Sequence, residues 1–105
     1  MPASTRERIP HPHVSALDLA AVMRALGDPV RLEIVRILSD GEEHQCGDLS
    51  QRLAIPASTG SYHLKLLREA GLTRTRAEGT QRFITLRTND LESRFPGLVG
   101  VLTAS

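Results

Sequence analysis

The sequence predicts a mainly α fold that closes with one small β-hairpin and a terminal helix. Three observations predict it. Apolar residues recur at helical spacing along residues 14–71. Two runs, LTRTRA (72–77) and RFITLR (82–87), alternate instead, with Gly79 between them. Leu91, Phe95, Leu98, Val99 and Leu102 then return to helical spacing. A chain of 105 residues fits one domain with a modest core, small enough to gain stability from a partner subunit.

Residues 1–13 hold three prolines and no periodicity, and read as a flexible arm. Residues 14–26 predict a helix with Ser15 as N-cap and Asp18 completing a capping box. Leu19, Val22, Met23 and Leu26 form its stripe, widened by Leu17, Ala20, Ala21 and Ala25. A helix so widely apolar is buried on more than one side, which suggests a subunit interface or, alternatively, wide burial in a single core. Gly27 ends it. Asp28 caps the next helix, Pro29 takes its first position, and the helix runs to about Ser39. Glu42 to Gln45 read as a polar link. A short helix from about Cys46 to Leu53, a turn at Ala54-Ile55-Pro56, and a helix from Ala57 to near Gly71 match a helix-turn-helix, which presents its second helix outward.

On that second helix, Ala57, Gly60, Leu67, Arg68 and Gly71 share a side with Leu64, while Ser58, Thr59, Tyr62, Lys65 and Glu69 lie opposite. The outward face can exchange hydrogen bonds with base edges and phosphates. Leu66 also falls outward and is expected to be covered by the hairpin or a neighbouring element. The hairpin is expected to carry Leu72, Phe83 and Thr85 on one face and Thr and Arg side chains on the other. The tail reads as a short turn through Asp90 to Arg94, then a helix from near Phe95 or Pro96.

Charge and composition narrow the function. The net charge is only +1, yet residues 58–87 carry six Lys/Arg against two Asp/Glu. Such a basic patch is the footprint of a polyanion partner. One Tyr, two Phe and no Trp exclude a stacking platform for single-stranded nucleic acid. No Gly-rich phosphate loop, carboxylate pair or nucleophile–base set is present, so no enzyme is expected. Cys46 is the single cysteine, no apolar run nears the ~20 residues that span a bilayer, and the N-terminus lacks a signal-like apolar core. A cytoplasmic protein with no membrane partner is expected.

The stretches ALGDPVRLEIVRIL (25–38), GDLSQRL (47–53) and STGSYHLKLLREAGL (58–72), with Glu78-Gly79 at the hairpin tip, resemble the ArsR family of bacterial transcriptional regulators. The resemblance covers about residues 14–88. It implies a winged helix-turn-helix of order α-α-α-α-β-β-α, with residues 14–88 binding double-stranded DNA and residues 89–105 forming a C-terminal dimerisation helix. It implies a homodimer, for which Leu17, Leu19, Val22, Leu26, Phe95, Leu98 and Leu102 are the candidate contacts. Carried over by position, Ser58, Thr59, Ser61 and Tyr62 would read bases, Lys65 would hold phosphate, and Arg74, Arg76, Thr80, Gln81 and Arg82 would belong to the wing. His63 occupies the histidine of the family's S-x-H-L pattern. Its place on the flank of the helix favours a packing or hydrogen-bonding role over base readout. The expected function is a sequence-specific, homodimeric repressor on an inverted-repeat operator.

The family's metal sites do not carry over. Its paired-cysteine pattern E-L-C-V-C-D-L corresponds to Glu43-His44-Gln45-Cys46-Gly47-Asp48-Leu49, where Gln45 and Gly47 replace both cysteines. A second family site on the last helix needs histidine, and the tail has none. No cofactor is expected, and the sequence names no effector. The alternative is a zinc- or redox-responsive regulator using His11, His13, His44 and Cys46, whose donor atoms suit zinc. A winged helix used for protein–protein contact is a further alternative, though its hairpin would be acidic or apolar rather than basic.

Overall fold

A computed structural model of the chain describes residues 9–104. Side-chain caps decide where its first helices begin. Asp28 Oδ1 accepts from the N–H groups of Val30 and Arg31 at 2.8 and 3.1 Å, and Pro29 opens α2 (Pro29–Leu38), as the sequence predicts. The preceding segment departs from the expectation. A 3₁₀ turn at Val14–Ala16 is followed by extended Leu17 and Asp18, and only then by α1 (Leu19–Leu26). Asp18, not Ser15, caps α1, accepting from Ala21 N–H at 3.1 Å. Ser15 bonds instead to His13. The break between the two elements turns the Leu17 side chain into the core, where it is 2% exposed.

Helices α3 (Cys46–Arg52) and α4 (Ala57–Glu69) form the helix-turn-helix, joined through Ala54 at φ 56°. Strands β2 (Thr73–Glu78) and β3 (Gln81–Leu86) form the hairpin. Gly79, at φ 62°, supplies the positive φ that a type II′ turn needs at its first central residue. A short strand β1 (His44–Gln45) pairs with the other edge of β3, so the order is β1-β3-β2. Part of the expected polar link is therefore a strand. Two polar residues carry no alternation to announce it; the open edge of β3 recruits them. At the C-terminus, α5 (Thr88–Arg94) replaces the expected turn, and α6 (Leu98–Thr103) begins later than expected because Gly97, at φ 90°, separates the two. Among the described residues no helix is long and apolar enough to cross a membrane.

The hairpin's faces also differ from the expectation. Thr75 pairs with Ile84 and Thr73 with Leu86, and all four are buried. Arg76 pairs with Phe83 and Arg74 with Thr85, so Phe83 and Thr85 share the outer face with the arginines. Leu72 is buried as predicted, but it precedes the strand. Its N–H bonds Leu67 O at 3.0 Å, closing α4 with Gly71 at φ 88°. The phase of β2 is thus set from Thr73. Phe83 is tolerated outside because the Arg76 guanidinium covers its ring at 4.7 Å.

One core joins all these elements. Leu64 and Leu67 of α4 share it with Ile34 and Leu38 of α2, Leu49 of α3 and Ile84 of β3. Leu17, Val22 and Leu26, expected at a subunit interface, lie in this same core, so they offer no surface to a partner. The end of the arm is docked as well. His11 Nε2 accepts from Thr75 N–H on the sheet edge at 2.9 Å, and Pro12 O accepts from Arg87 at 2.8 Å. Residues 9–13 are therefore tied to the fold, while the rest of the expected flexible arm lies outside the described residues.

Asp28→Ala should cost about 1 kcal/mol of stability, a fall of about 4–8 °C in Tm for a domain of this size. The Arg31 and Val30 N–H bonds hold the Asp28 pKa below the usual carboxylate value. A depressed carboxylate pKa gives stability that is present above the unfolded value and lost as pH falls through the folded one. The gap between wild type and Asp28→Ala should therefore narrow in acid. Burial, followed by the charges of Arg74, Arg68 and Arg87, likewise lowers the His11 pKa. Its docking holds above the ordinary histidine value and weakens as pH falls through the lowered one. Hydrogen exchange should show the protection of the Thr75 amide falling with pH in wild type but not in His11→Gln, which keeps an acceptor that does not titrate.

Candidate nucleic-acid interface

Helix α4 is amphipathic because its apolar residues fall on one side, and the fold uses that side. Gly60, Leu64 and Leu67 are buried, whereas Ser58, Thr59, Ser61, Tyr62, Lys65 and Glu69 are exposed. Tyr62 is 58% exposed, so its ring stands in solvent. Pro56 provides no side-chain cap, so the first-turn N–H groups of α4 sit at its electropositive end. All five helical residues predicted from the sequence to meet DNA thus share one solvent-facing surface. Leu66 is half-buried, and it lines a groove with Ala21, Arg24, Ala25 and Arg31. The first two helices cover it, not the hairpin.

Beside this surface lies a cleft of about 150 Å³ between α4, the start of α3 and the hairpin. Lys65, Arg68 and Arg82 line it, together with Ser61, Thr75 and Cys46, and no carboxylate does. Arg68 escaped the sequence reading because its angular position on α4 is on the apolar side. That side borders the cleft, where Ser61 and Leu64 also lie. The Cys46 thiol lies 3.9 Å from Ser61 Oγ.

The wing residues separate into two groups. Arg82 faces the α4 side, and Thr80 and Gln81 are exposed at the tip. Arg74 and Arg76 face the other way and are engaged by acids. Arg76 forks onto Glu43 at 2.8 and 2.9 Å and reaches Glu78 at 2.8 Å. This pairing holds the Glu43 carboxyl below its usual pKa. Arg74 lies 3.4 Å from Asp90.

The four metal-ligand candidates have separate local partners. His11 bonds Thr75 N–H, His13 caps the 3₁₀ turn, His44 Nε2 lies 2.8 Å from Asp40 Oδ2, and Cys46 neighbours Ser61. Among the described residues no three His, Cys, Asp or Glu side chains gather into a group that could hold a metal ion. Among the described residues, the large hydrophobic side chains exposed besides Tyr62 are Leu19 and Met23 of α1 and Val101 of α6. Leu19 and Val101 border one open groove with Phe95, Pro96 and Leu98. Leu102 is half-buried against the core. Met23 and Val101 were absent from the predicted contacts. Val101 lies off the stripe of α6, and the exposure of Met23 depends on how α1 packs.

Comparison with known proteins agrees with this geometry. A helix-turn-helix domain family matches residues 26–76. An uncharacterised HTH-type transcriptional regulator of Bacillus subtilis, YceK, is 39% identical over 84 residues, covering 79% of this chain and 84% of that protein. The arsenical resistance operon repressor of Staphylococcus xylosus is 36% identical over 73 residues, 70% of this chain and 69% of its own. Among solved structures, the homodimeric winged helix-turn-helix DNA-binding domain of a possible ArsR-family regulator from Mycobacterium bovis superposes with a TM-score of 0.68 at 28% identity, covering 82% of this chain and 78% of that one. The chain belongs to the ArsR family of winged helix-turn-helix transcriptional regulators.

Proposed function

We propose that this DNA-binding regulator acts as a homodimeric repressor that places α4 of each subunit in the major groove of an inverted-repeat operator. The observation that carries the proposal is the single surface formed by Ser58, Thr59, Ser61 and Tyr62 beside the carboxylate-free cationic cleft. Small hydroxyls and a phenol can pair with base edges, and the adjacent cations suit flanking phosphates. Residues 14–88 would form the reading domain, and the helix within 89–105 would join the subunits. Repression is favoured by relatives such as the arsenical resistance operon repressor. A cytoplasmic, non-enzymatic role follows from that activity. For the zinc- or redox-responsive alternative, Cys46 would have to act from within the cleft itself.

Geometry ranks the wing residues. Arg82, Lys65 and Arg68 share the cleft beside α4, whereas Arg76 is held between Glu43 and Glu78 on the opposite face. Because they lie beside the base-reading face, we take Arg82 and Lys65 as the stronger phosphate contacts, with Thr80 and Gln81 at the tip. For the dimer, Met23 and Val101 join the expected Leu19, Phe95 and Leu98 as contacts, in place of the buried Leu17, Val22 and Leu26.

Arg82→Ala should weaken binding to all duplexes and lower the salt slope by about 1, while Arg76→Ala should change it little. Tyr62→Ala should instead change sequence preference, costing about 1–3 kcal/mol on the operator with the slope kept. Fluorescence anisotropy across a salt series separates these outcomes. Equal losses on every sequence for Tyr62→Ala and Arg82→Ala would contradict the division of roles. Val101→Asp and Leu19→Asp should give folded monomers by analytical ultracentrifugation, with operator affinity reduced at least tenfold (about 1.4 kcal/mol).

A further inference from the structure

Two motif residues outside the DNA-reading face meet across the fold. Arg31 comes from the DPVR stretch that opens α2, and His63 from the SYHL stretch of α4. Arg31 Nε donates to Ala25 O, near the end of α1, at 2.7 Å. Its Nη1 lies 3.1 Å from His63 Nδ1. Its backbone N–H is held by the Asp28 cap. A guanidinium only donates, so Nδ1 of His63 must accept, which leaves the ring hydrogen on Nε2. One rigid fork thus ties the end of α1 and the start of α2 to the middle of α4.

That tie supplies what the core does not. Leu64 and Leu67 hold α4 at its depth, but apolar contact is non-directional and resists small rotations of a helix weakly. A hydrogen bond from a planar guanidinium is directional. His63 directly follows Tyr62, their ring centroids 5.9 Å apart. Turning α4 about its axis would carry Ser58, Thr59 and Tyr62 away from the base edges, and recognition tolerates only about 10–20° of such error. We propose that Arg31 and His63 form a positioning pair that fixes the rotation of α4, and with it the aim of the base-reading side chains, without either residue touching DNA. The inference rests on the proposed reading of DNA by α4.

The full-length protein can test it. A random duplex library is first used to select the wild-type site. The ratio of affinity for that site to affinity for unrelated duplex is then measured for Arg31→Lys, His63→Leu, His63→Asn and the Arg31→Lys/His63→Leu double variant. Thermal unfolding and ¹⁵N NMR of the His63 ring accompany it. Arg31→Lys keeps the charge but loses the planar fork whose fixed geometry spans Ala25 O and His63 Nδ1. His63→Asn places an oxygen where Nδ1 was.

Arg31→Lys and His63→Leu should each lower the ratio about tenfold, with affinity for unrelated duplex nearly unchanged. The double variant should be no worse than either single one, and His63→Asn should retain most of the ratio. The His63 Nδ1 resonance should be that of an unprotonated acceptor and should shift in Arg31→Lys. A loss confined to His63→Leu would mean direct base contact and would overturn the proposal. So would a lowered Tm with an intact ratio, or failure of His63→Asn to rescue. Wild type that selects no sequence would overturn the DNA-reading assignment itself. Wild type that selects a site which both variants still prefer would overturn the positioning role alone.

Discussion

Leu64 and Leu67 commit one face of α4 to the core, and the rest of the architecture follows from that commitment. Burying a leucine side chain is worth about 1.5–3 kcal/mol, a large share of a small domain's net stability. The opposite face has no such anchor and remains free to carry polar side chains. Gly60 lets α4 pass close to α3, because a Cβ there would overlap Ser50 Oγ. The close crossing brings the start of α3 beside Ser61, and so builds one wall of the cationic cleft.

The hairpin turns a uniform basic segment into two electrostatic surfaces. Its register puts Arg74 and Arg76 on one side and Arg82 on the other. Glu43 reaches Arg76 only because β1 brings the chain back alongside β3. Acids therefore meet the charge of residues 58–87 on the outer face at Arg74 and Arg76, while Lys65, Arg68 and Arg82 line the cleft beside α4. Salt screens such exposed pairs over about 8–10 Å, so it is the arrangement within the cleft, rather than net charge, that favours a polyanion there.

Much of this was legible in the order of residues. Asp28-Pro29 announced a helix start, Gly79 a turn, and the Leu64/Leu67 stripe the inner face of α4, because each signal is local. Leu17, Val22 and Leu26 misled as interface residues for a clear reason. An apolar stripe shows that a surface is buried but not against what. The partner of those side chains proved to be the chain's own core. Ser15 was the expected cap with Asp18 as its capping-box partner, yet Asp18 itself caps α1, because the chain stays extended to pack Leu17 in the core. The faces of β2 could not be phased from Leu72, since that residue belongs to the close of α4.

Local periodicity, capping chemistry and family pattern were sufficient for the element order, the helix-turn-helix and the polar face of α4. They depend only on neighbours within a few positions. Folding decided what lies across from what: which arginines meet acids, which apolar side chains remain exposed on α1 and α6, and where His11 docks. It also brought Arg31 to His63, residues far apart in sequence whose hydrogen bond exists only once α2 and α4 have packed. Long-range pairing is set by packing and strand register, and neither is written in the spacing of any single segment.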